Sequence, residues 1–355
     1  MTAKVKFEAV SKTYGAVSAL QEVSLEVSQG EFLTLLGPSG SGKTTLLMIL
    51  AGLVEPSYGR VWIDGRDSTH TPSHRRGIGV VFQSYALFPH LTIYENIAFP
   101  LRMRRISEAE VRRRVSEVLE VVHLPGVEAR LPRELSGGQQ QRIALARCIV
   151  YKPAIILMDE PLGALDKRLR EQMQLEIKRL HRELGMTVLY VTHDQEEAMA
   201  LSDRICLMNN GSIEQFGTPS ELYFQPVTVF SGDFLGESNL LQGFIREVSA
   251  AAVDVDIGLA KCIRAQAAAH ATAGEKVTCL VRPEAVHFVD GSGFDNEVDA
   301  FVQDVVVAGG LTRIYARMSD GTRILSVRLT SRHSQIEHGT RIRLGWSTAD
   351  TIALR

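Results

Sequence analysis

The order of hydrophobic and polar positions along residues 1–233 predicts an α/β domain built in layers. Short runs rich in Leu, Ile and Val lie at residues 31–36, 154–158 and 187–192, and longer segments with helical spacing of apolar positions separate them. Strands that alternate with helices are typical of a sheet covered by helices. We therefore predict a sheet domain of this kind in the first two thirds of the chain.

Residues 85–152 contain two helical patterns that interrupt the sheet. The first follows Ser107, and Glu110 stands three positions later, as in a capping box. Its apolar face consists of Val111, Val115, Val118, Leu119 and Val122. The second pattern starts at Ser136 and stops before Pro153. We predict a helical subdomain inserted between the two halves of the sheet.

From residue 234 onward the pattern changes to short runs that are typical of β-strands. The runs lie at residues 240–248, 252–257, 276–282, 298–307, 312–318, 323–329, 341–346 and 352–355. The pairs Asp290-Gly291 and Asp320-Gly321 provide turns between them. Short strands at such spacing favour an all-β barrel or sandwich. We therefore predict two domains, at residues 1–233 and 234–355.

The net charge and the length of the apolar runs indicate which classes of partner the chain can have. The 355 residues include 39 Lys and Arg and 41 Asp and Glu, which gives a formal net charge of −2. Such a chain has no general electrostatic attraction for nucleic acid, and we expect no nucleic-acid partner. No apolar run approaches the roughly 20 residues of a membrane-spanning helix. A role at a membrane would therefore depend on a partner chain.

The chain start and the cysteines indicate a cytoplasmic location. Residues 1–6 run into a strand pattern without an apolar signal core, so we expect no export. The four cysteines lie far apart in the sequence, at Cys148, Cys206, Cys262 and Cys279. This spacing argues against a zinc site and against a disulfide framework. We interpret them as reduced thiols in the core.

A strand-to-helix turn carries the pattern of a phosphate-binding loop. The segment consists of Gly37, Pro38, Ser39, Gly40, Ser41, Gly42, Lys43, Thr44 and Thr45. It matches G-x-x-x-x-G-K-[ST] between an apolar strand and a helix, which is the context that the motif requires. Backbone amides and the helix N-terminus would cradle a triphosphate, Lys43 would reach the β- and γ-phosphates, and Thr44 would bind Mg²⁺. The motif predicts binding of ATP with Mg²⁺.

Two carboxylates follow the apolar run at residues 154–158. Asp159 can hold the Mg²⁺ shell, and Glu160 can orient or deprotonate the water that attacks the γ-phosphate. An Asp-Glu pair by itself more often ends a strand at the surface. The phosphate loop makes the catalytic interpretation the stronger one.

A further motif identifies a family. The residues Ser136, Gly137, Gly138 and Gln139, preceded by Leu, resemble the signature of the ATP-binding cassette (ABC) ATPases. Ser136 and the two glycines would open a helix and form a second anion-binding site. The resemblance implies a head-to-tail homodimer, in which this signature closes on the γ-phosphate held by the phosphate loop of the partner subunit.

Four more residues resemble functional positions of the same family, and together the matches cover residues 4–232. The resemblance implies that Tyr14 stacks on adenine, that Gln83 touches Mg²⁺ and the attacking water, and that His193 contacts the γ-phosphate. Asp166 would couple the two sites across the dimer, or would only cap a helix. Gly163 stands where many relatives have Ser. The implied catalytic residues are Glu160, His193, Gln83 and Lys43, and the implied metal ligands are Thr44, Gln83 and Asp159.

Other segments resemble those of ABC importers. The resemblance implies that Tyr85, Leu87 and Phe88 contact a membrane permease, although an apolar loop can also pack into its own core. A basic cluster follows, formed by Arg102, Arg104, Arg105, Arg112, Arg113 and Arg114. It is interpreted as a solvated helix face, with contact to a permease or to anionic lipid as the alternative.

The C-terminal part resembles the TOBE-like regulatory domain of importer ATPases, a pair of small OB-type barrels. The matching residues are 234–239, 281–284 and 302–310. The implied architecture is a P-loop NTPase (RecA-like) domain followed by this all-β domain, which would bind an oxyanion, bind an inhibitory protein or only widen the dimer contact.

The resemblance implies an importer ATPase at the cytoplasmic face of the membrane, served indirectly by an extracellular solute-binding protein. Residues 234–239 and 192–198 look most like the sulfate/thiosulfate group, so we expect sulfate uptake. Polyamine, ferric iron, molybdate and sugar importers are alternatives. A soluble ABC ATPase without a transport role and a P-loop kinase are alternatives of other classes.

Overall fold

The computed structural model describes residues 3–163, 165–259, 261–267, 271–289, 291, 293–331 and 336–355. The chain divides into two compact units, Met1–Pro219 and Ser220–Arg355. The predicted boundary between two domains after residue 233 stays a prediction.

The first unit contains two sheets and six helices in its described residues. Its strands are β1 (Ala3–Tyr14), β2 (Val17–Ser28), β3 (Phe32–Leu36), β4 (Tyr58–Ile63), β5 (Arg66–Asp67), β6 (Ile78–Val81), β7 (Ile155–Asp159), β8 (Val188–Thr192), β9 (Arg204–Asn209) and β10 (Ser212–Gly217). Its helices are α1 (Lys43–Ala51), α2 (Ile93–Met103), α3 (Glu108–Val121), α4 (Gly137–Ile149), α5 (Lys167–Leu184) and α6 (Gln195–Leu201).

The six-stranded sheet has the order β10-β9-β3-β8-β7-β6. Strands β9, β3, β8, β7 and β6 are parallel, and β10 pairs antiparallel with β9. Strands β3 and β8 are buried at every position, because helices cover a parallel sheet on both faces. The carboxyl ends of β3, β8, β7 and β6 therefore lie side by side at one edge, which is where ligands bind in open α/β sheets. The predicted α/β P-loop fold is confirmed.

Helices α2, α3 and α4 lie between β6 and β7 in the chain. The predicted apolar face of α3 is buried, from Val111 to Val122. The predicted capping box at Ser107 is wrong, because its side chain makes no cap hydrogen bond. The Glu110 carboxylate instead accepts hydrogen bonds from Arg113 and Arg114, both at 2.6 Å.

The second unit is rich in β-structure, as predicted. Its helices are α7 (Pro219–Phe224), which begins at the last residue of the first unit, and α8 (Val229–Phe234). Its strands are β11 (Asn239–Val248), β12 (Ala252–Asp256), β13 (Ile263–Gln266), β14 (Lys276–Val281), β15 (His287–Phe288), β16 (Asn296–Ala308), β17 (Leu311–Met318), β18 (Arg323–Leu329), β19 (Arg341–Trp346) and β20 (Thr351–Leu354).

The second unit differs from the predicted pair of barrels. Strands β11-β12-β13-β20-β14 form a closed barrel, whereas β15-β19-β16-β17-β18 form a five-stranded sheet. Asp320-Gly321 lies in the turn between β17 and β18. The other predicted turn includes Asp290, which lies outside the described residues. Cys262 is exposed, which corrects its assignment to the core, while Cys148, Cys206 and Cys279 are buried.

Arg282 joins two segments that the sequence analysis singled out in the second unit. Its guanidinium donates to the carbonyl oxygens of Gly232 at 2.8 Å and Tyr223 at 3.0 Å, and to Ser238 Oγ at 2.6 Å. Residues 234–239 and 281–284 therefore meet around one buried cation.

No helix in the described part of the chain is long and apolar enough to cross a membrane.

Candidate nucleotide-binding site

The loop between β3 and α1 has the shape that its glycines predict. Gly42 precedes the helix with φ +97°, and Gly37 has φ +150°. A Cβ on Gly37 would lie 2.2 Å from the carbonyl oxygen of Met208, and one on Gly42 would lie 2.6 Å from that of Ala19. Only glycine therefore fits both positions, and the loop can lie tightly against the neighbouring strands.

Lys43 turns its side chain back into this loop. Its Nζ donates to the carbonyl oxygens of Gly37 and Pro38, both at 2.8 Å, and lies 3.4 Å from Ser41 Oγ. Burial lowers the pKa of Lys43, while the charges of Glu160 and Asp159 oppose this effect. A cation held among carbonyl oxygens at the N-terminus of a helix is suited to exchange those partners for phosphate oxygens.

The carboxylates at the end of β7 face the loop and the end of β8. Thr44 Oγ1 donates to Asp159 Oδ1 at 3.2 Å, and the Glu160 carboxylate lies 3.1 Å from His193 Nδ1. Burial raises the pKa of Asp159, the Thr44 hydroxyl lowers it, and the Glu160 charge raises it further. The structure thus brings Lys43, Thr44, Asp159, Glu160 and His193 together at the carboxyl edge of the sheet.

Gln83 and Tyr14 lie outside this hydrogen-bonded group. Gln83 is exposed just beyond β6, the strand next to β7, and a Cβ on Gly163 would lie 3.8 Å from its Nε2. Tyr14 ends β1 with half of its surface exposed, and Lys12 Nζ lies 4.9 Å from the centre of its ring. Both side chains are accessible to a ligand.

The signature residues start helix α4 with a formed capping box. The Ser136 hydroxyl accepts from the Gln139 N–H at 3.4 Å, and the Gln139 side chain accepts from the Ser136 N–H at 3.0 Å. Gly137 and Gly138 are the first two residues of the helix, so their N–H groups have no acceptor within it. Ser136 and Gly137 are exposed at this positive helix end, whereas Gly138 is buried.

Asp166 lies next to the signature in the same chain. It caps α5 by accepting from the Leu169 N–H at 2.9 Å. A Cβ on Gly138 would lie 2.8 Å from Leu169 Cδ1, and one on Gly137 would lie 3.5 Å from Leu165 Cδ2. Within the described residues, no hydrogen bond or ion pair joins the signature to the phosphate loop.

The sequence reasoning missed a buried polar network behind His193. Glu197 accepts from the hydroxyls of Tyr190 and Thr192, both at 2.8 Å, and Arg170 lies 3.7 Å from its second oxygen. Burial raises the pKa of Glu197 despite these donors. The network fixes the turn after β8 that carries His193. A carboxylate three residues after a helix-capping Asp194 was the available sequence signal.

The three predicted permease-contact residues are not equally accessible. Tyr85 is buried in the core, which corrects its assignment to a contact surface, whereas Leu87 and Phe88 are half-buried. The Phe88 and Phe99 rings lie 4.9 Å apart, and Phe99 and Met103 on α2 are exposed. The sequence reasoning missed these two apolar side chains, because they occupy the polar face of a helical pattern.

Three of the six arginines of the basic cluster pair with carboxylates of their own segment. Arg102 pairs with Glu108 at 2.8 Å, and Arg113 and Arg114 both pair with Glu110 at 2.6 Å. This pairing favours a solvated helix face over an anion-binding surface.

Comparison with known proteins gives two family matches. The model described as "ABC transporter" matches residues 20–163, and the "TOBE domain" model matches residues 279–354. The spermidine/putrescine import ATP-binding protein PotA of Rubrobacter xylanophilus is 44% identical over 353 residues, which cover 99% of this chain and 93% of that protein. The protein of the same name from Thermobifida fusca is 44% identical over 359 residues, with 99% and 93% covered.

Among solved structures, a dimeric bacterial ABC transporter cassette is 38% identical, with 61% of this chain and 98% of that chain covered and a TM-score of 0.55. A dimeric ATP-binding cassette in a post-hydrolysis state with ADP and Pi is also 38% identical, with 61% and 98% covered and a TM-score of 0.54.

The names of these relatives do not support the predicted sulfate or thiosulfate import. That prediction rested on residues 234–239 and 192–198. Residues 192–194 form the hydrogen-bonded turn after β8, and Ser238 accepts a hydrogen bond from Arg282, so the structure gives both segments roles in the fold that do not depend on the solute.

The match across nearly the whole length of import ATP-binding proteins, together with the phosphate loop, the carboxylate pair and the signature helix, shows that the chain belongs to the ABC transporter family as an ATP-hydrolysing subunit with a C-terminal TOBE domain.

Proposed function

We propose that this chain is the ATP-hydrolysing subunit of an importer for polyamines such as spermidine and putrescine. The observation that carries the proposal is the full-length match to relatives named for that import, since 44% identity extends over 99% of the chain and includes the β-rich second unit. The site geometry supports the ATPase part of the proposal. The choice of solute rests on the relatives alone.

In the proposed reaction Glu160 is the general base. Its carboxylate lies at the end of β7, where it would accept a proton from the water that attacks the γ-phosphate. His193, 3.1 Å from this carboxylate, would hold it in place and contact the γ-phosphate. Gln83 would position the water from the end of β6. Lys43 would leave the carbonyl oxygens of its own loop and bind the β- and γ-phosphates.

The residues fit a Mg²⁺ ion that arrives with the nucleotide. Thr44 Oγ1 and Asp159 Oδ1 are hard oxygen ligands only 3.2 Å apart beside the phosphate loop. Mg²⁺ commonly takes one or two protein ligands together with phosphate oxygens and water. Bound there, the ion would neutralise phosphate charge, and Gln83, just beyond the strand next to β7, would join its shell.

We infer that two copies of the chain assemble head to tail around two ATP molecules. The helix end at Ser136, Gly137 and Gly138 would bind the γ-phosphate held by the phosphate loop of the other copy. Asp166, beside this helix end, would couple the two sites. Tyr14 would stack on the adenine ring.

We further propose that the subunit works at the cytoplasmic face of the membrane, bound to a permease through Leu87, Phe88 and the exposed Phe99 and Met103. The pairing of Phe88 with Phe99 supports one continuous apolar surface there. An extracellular solute-binding protein would deliver the solute to the permease.

Uptake by a reconstituted complex tests the solute. The chain is purified with the permease chains that accompany it from solubilised membranes. With the solute-binding proteins of the same cells added outside, uptake of labelled putrescine, spermidine and sulfate into ATP-loaded proteoliposomes is then compared. We expect ATP-dependent uptake of the two polyamines and no uptake of sulfate above that of Glu160→Gln. Uptake of sulfate alone would overturn the polyamine assignment, and the absence of any copurifying membrane chain would overturn the importer assignment.

A further inference from the structure

A single arginine connects the apolar surface proposed for the permease to the helix that carries the signature. Arg147 lies near the C-terminal end of α4, and its guanidinium donates to the carbonyl oxygens of Tyr85 and Ala86, both at 2.8 Å. The same group lies 5.6 Å from the centre of the Phe88 ring. One side chain therefore holds three of the four residues in segment 85–88.

The segment that Arg147 holds has an unfavourable backbone conformation. Tyr85 and Ala86 have φ values of +60° and +47°, two consecutive non-glycine residues in the left-handed region. Such a conformation persists only when the surroundings impose it, and it is typical of functional segments. The two hydrogen bonds from Arg147 go to the carbonyl groups of these same two residues.

A second clamp holds the other end of the segment. The fully buried Asn96 of α2 accepts from the Phe88 N–H at 2.8 Å and donates to the Phe88 carbonyl oxygen at 3.1 Å. Segment 85–88 is thus fixed between α2, which carries Phe99 and Met103, and α4. A displacement of Phe88 would therefore act on side chains of both helices.

Arg147 and the signature residues lie on the same helix, near its two ends. Ser136 caps the start of the same uninterrupted helix, so at about 1.5 Å per residue the guanidinium is anchored roughly 16 Å from the signature. Within the described residues, Arg147 has no carboxylate partner. Two separate nitrogens of its planar guanidinium donate to the two carbonyl groups while the group lies near the Phe88 ring, and the single nitrogen of an ammonium does not reproduce this planar arrangement.

We propose that Arg147 is a positioning residue that transmits movement of the permease at Phe88 through α4 to the signature. Binding of the solute-loaded binding protein to the permease would in this way be coupled to closure of the two copies over ATP. The inference rests on the proposed function, because it needs a permease at this surface. Beyond the proposed function, the inference names Arg147 as the residue that connects the permease surface at Phe88 to the signature at Ser136.

The test compares coupling in the complete complex of ATPase, permease and solute-binding protein in lipid nanodiscs. The ATPase rate with putrescine-loaded binding protein is divided by the rate without it. Arg147→Lys keeps the charge but replaces the two guanidinium nitrogens, one on each carbonyl group, by a single nitrogen on a differently shaped side chain. The planar contact near the Phe88 ring is lost as well, so we expect this ratio to fall by about fivefold or more. Arg104→Lys is the matched control. Arg104 lies 3.8 Å from the Tyr151 ring centre and donates to the Pro100 carbonyl oxygen, and it forms no hydrogen bond with the described residues 85–88.

The outcomes distinguish failure of the Arg147 inference from failure of the proposed importer function. If the wild-type complex is stimulated and Arg147→Lys is stimulated equally, the clamp has no coupling role and the inference is wrong. If the wild-type chain binds no permease or shows no stimulation, the proposed function fails instead. Equal losses in Arg147→Lys and Arg104→Lys would show a general effect on the helical segment and would also overturn the inference.

Hydrogen exchange of the wild-type complex gives a second readout that does not depend on a variant that folds. Addition of ATP should change the exchange of peptides covering residues 84–91 together with those covering 136–141. Protection of 136–141 with no change at 84–91 would contradict the coupling. In Arg147→Lys, if it folds, the change at 84–91 should be lost while that at 136–141 remains.

Discussion

At the scale of single residues, Glu160 stands out because its backbone is strained. Its φ is +43°, yet its N–H still donates to the Val191 carbonyl oxygen at 2.9 Å, which continues the pairing of β7 with β8. A non-glycine residue in this region costs on the order of 1–3 kcal/mol, which the surrounding structure must offset. The strained conformation directs the carboxylate toward His193, which agrees with its proposed role as the base.

Lys43→Ala should weaken ATP binding. The ammonium group forms charge-assisted hydrogen bonds, each of which contributes about 1.5–3 kcal/mol, so affinity should fall roughly tenfold to a hundredfold. Isothermal titration calorimetry of the isolated subunit measures the change. Lys152→Ala is the control, because Lys152 lies at the opposite edge of the sheet, before the start of β7. Unchanged affinity in Lys43→Ala would contradict the assigned site.

Asp159 predicts a particular dependence of stability on pH. Burial raises the pKa of this carboxyl in the folded, nucleotide-free protein, so folding favours the protonated form. Its favourable contribution is complete below the unfolded pKa of about 3.9 and is lost as the pH rises through the higher folded pKa. Between pH 4 and 7, wild type should therefore lose free energy of unfolding relative to Asp159→Asn, as measured by urea titration. A gain in stability relative to that variant would contradict the raised pKa.

At the scale of elements, two helices of the first unit begin with a capping box. Ser136 with Gln139 caps α4, and Thr92 with Glu95 caps α2. Loss of either cap hydroxyl removes one acceptor for a first-turn N–H group. The two positions therefore form a matched pair that separates helix stability from function.

Ser136→Ala and Thr92→Ala should each lower the free energy of unfolding by about 1 kcal/mol. Only Ser136→Ala should also lower the ATPase rate of the isolated subunit, by about tenfold or more, since it removes a group that would face the γ-phosphate. Denaturant titrations and phosphate release measure the two effects. Equal ATPase rates in the two variants would show that Ser136 is only a helix cap.

Sequence patterns predicted elements well where apolar spacing was regular and failed where polar partners competed. The buried face of α3 follows from periodicity alone, whereas the capping box at Ser107 does not form because two arginines one turn later bind Glu110. Strands β13 and β15 are short, at Ile263–Gln266 and His287–Phe288, and offer too few residues for alternation to be recognised.

At the scale of the whole molecule, the candidate site was predictable because its parts are local motifs at the ends of adjacent parallel strands. The contacts between Thr44 and Asp159 and between Glu160 and His193 follow from strand order, which the motifs imply but do not specify. The network around Glu197 and the burial of Tyr85 depend on packing between distant segments, which no motif encodes. The signature and the phosphate loop would meet only in the proposed assembly of two copies, which a pattern within one chain does not describe.

Sedimentation of Glu160→Gln with saturating ATP and Mg²⁺ tests the central claim most directly, since loss of the base should leave ATP bound and unhydrolysed between two copies. We predict a particle of twice the monomer mass, which reverts to monomer when Ser136→Glu is added to the same chain and places a negative charge against the γ-phosphate. A strictly monomeric Glu160→Gln at high concentration, with ATP bound, would contradict the shared site.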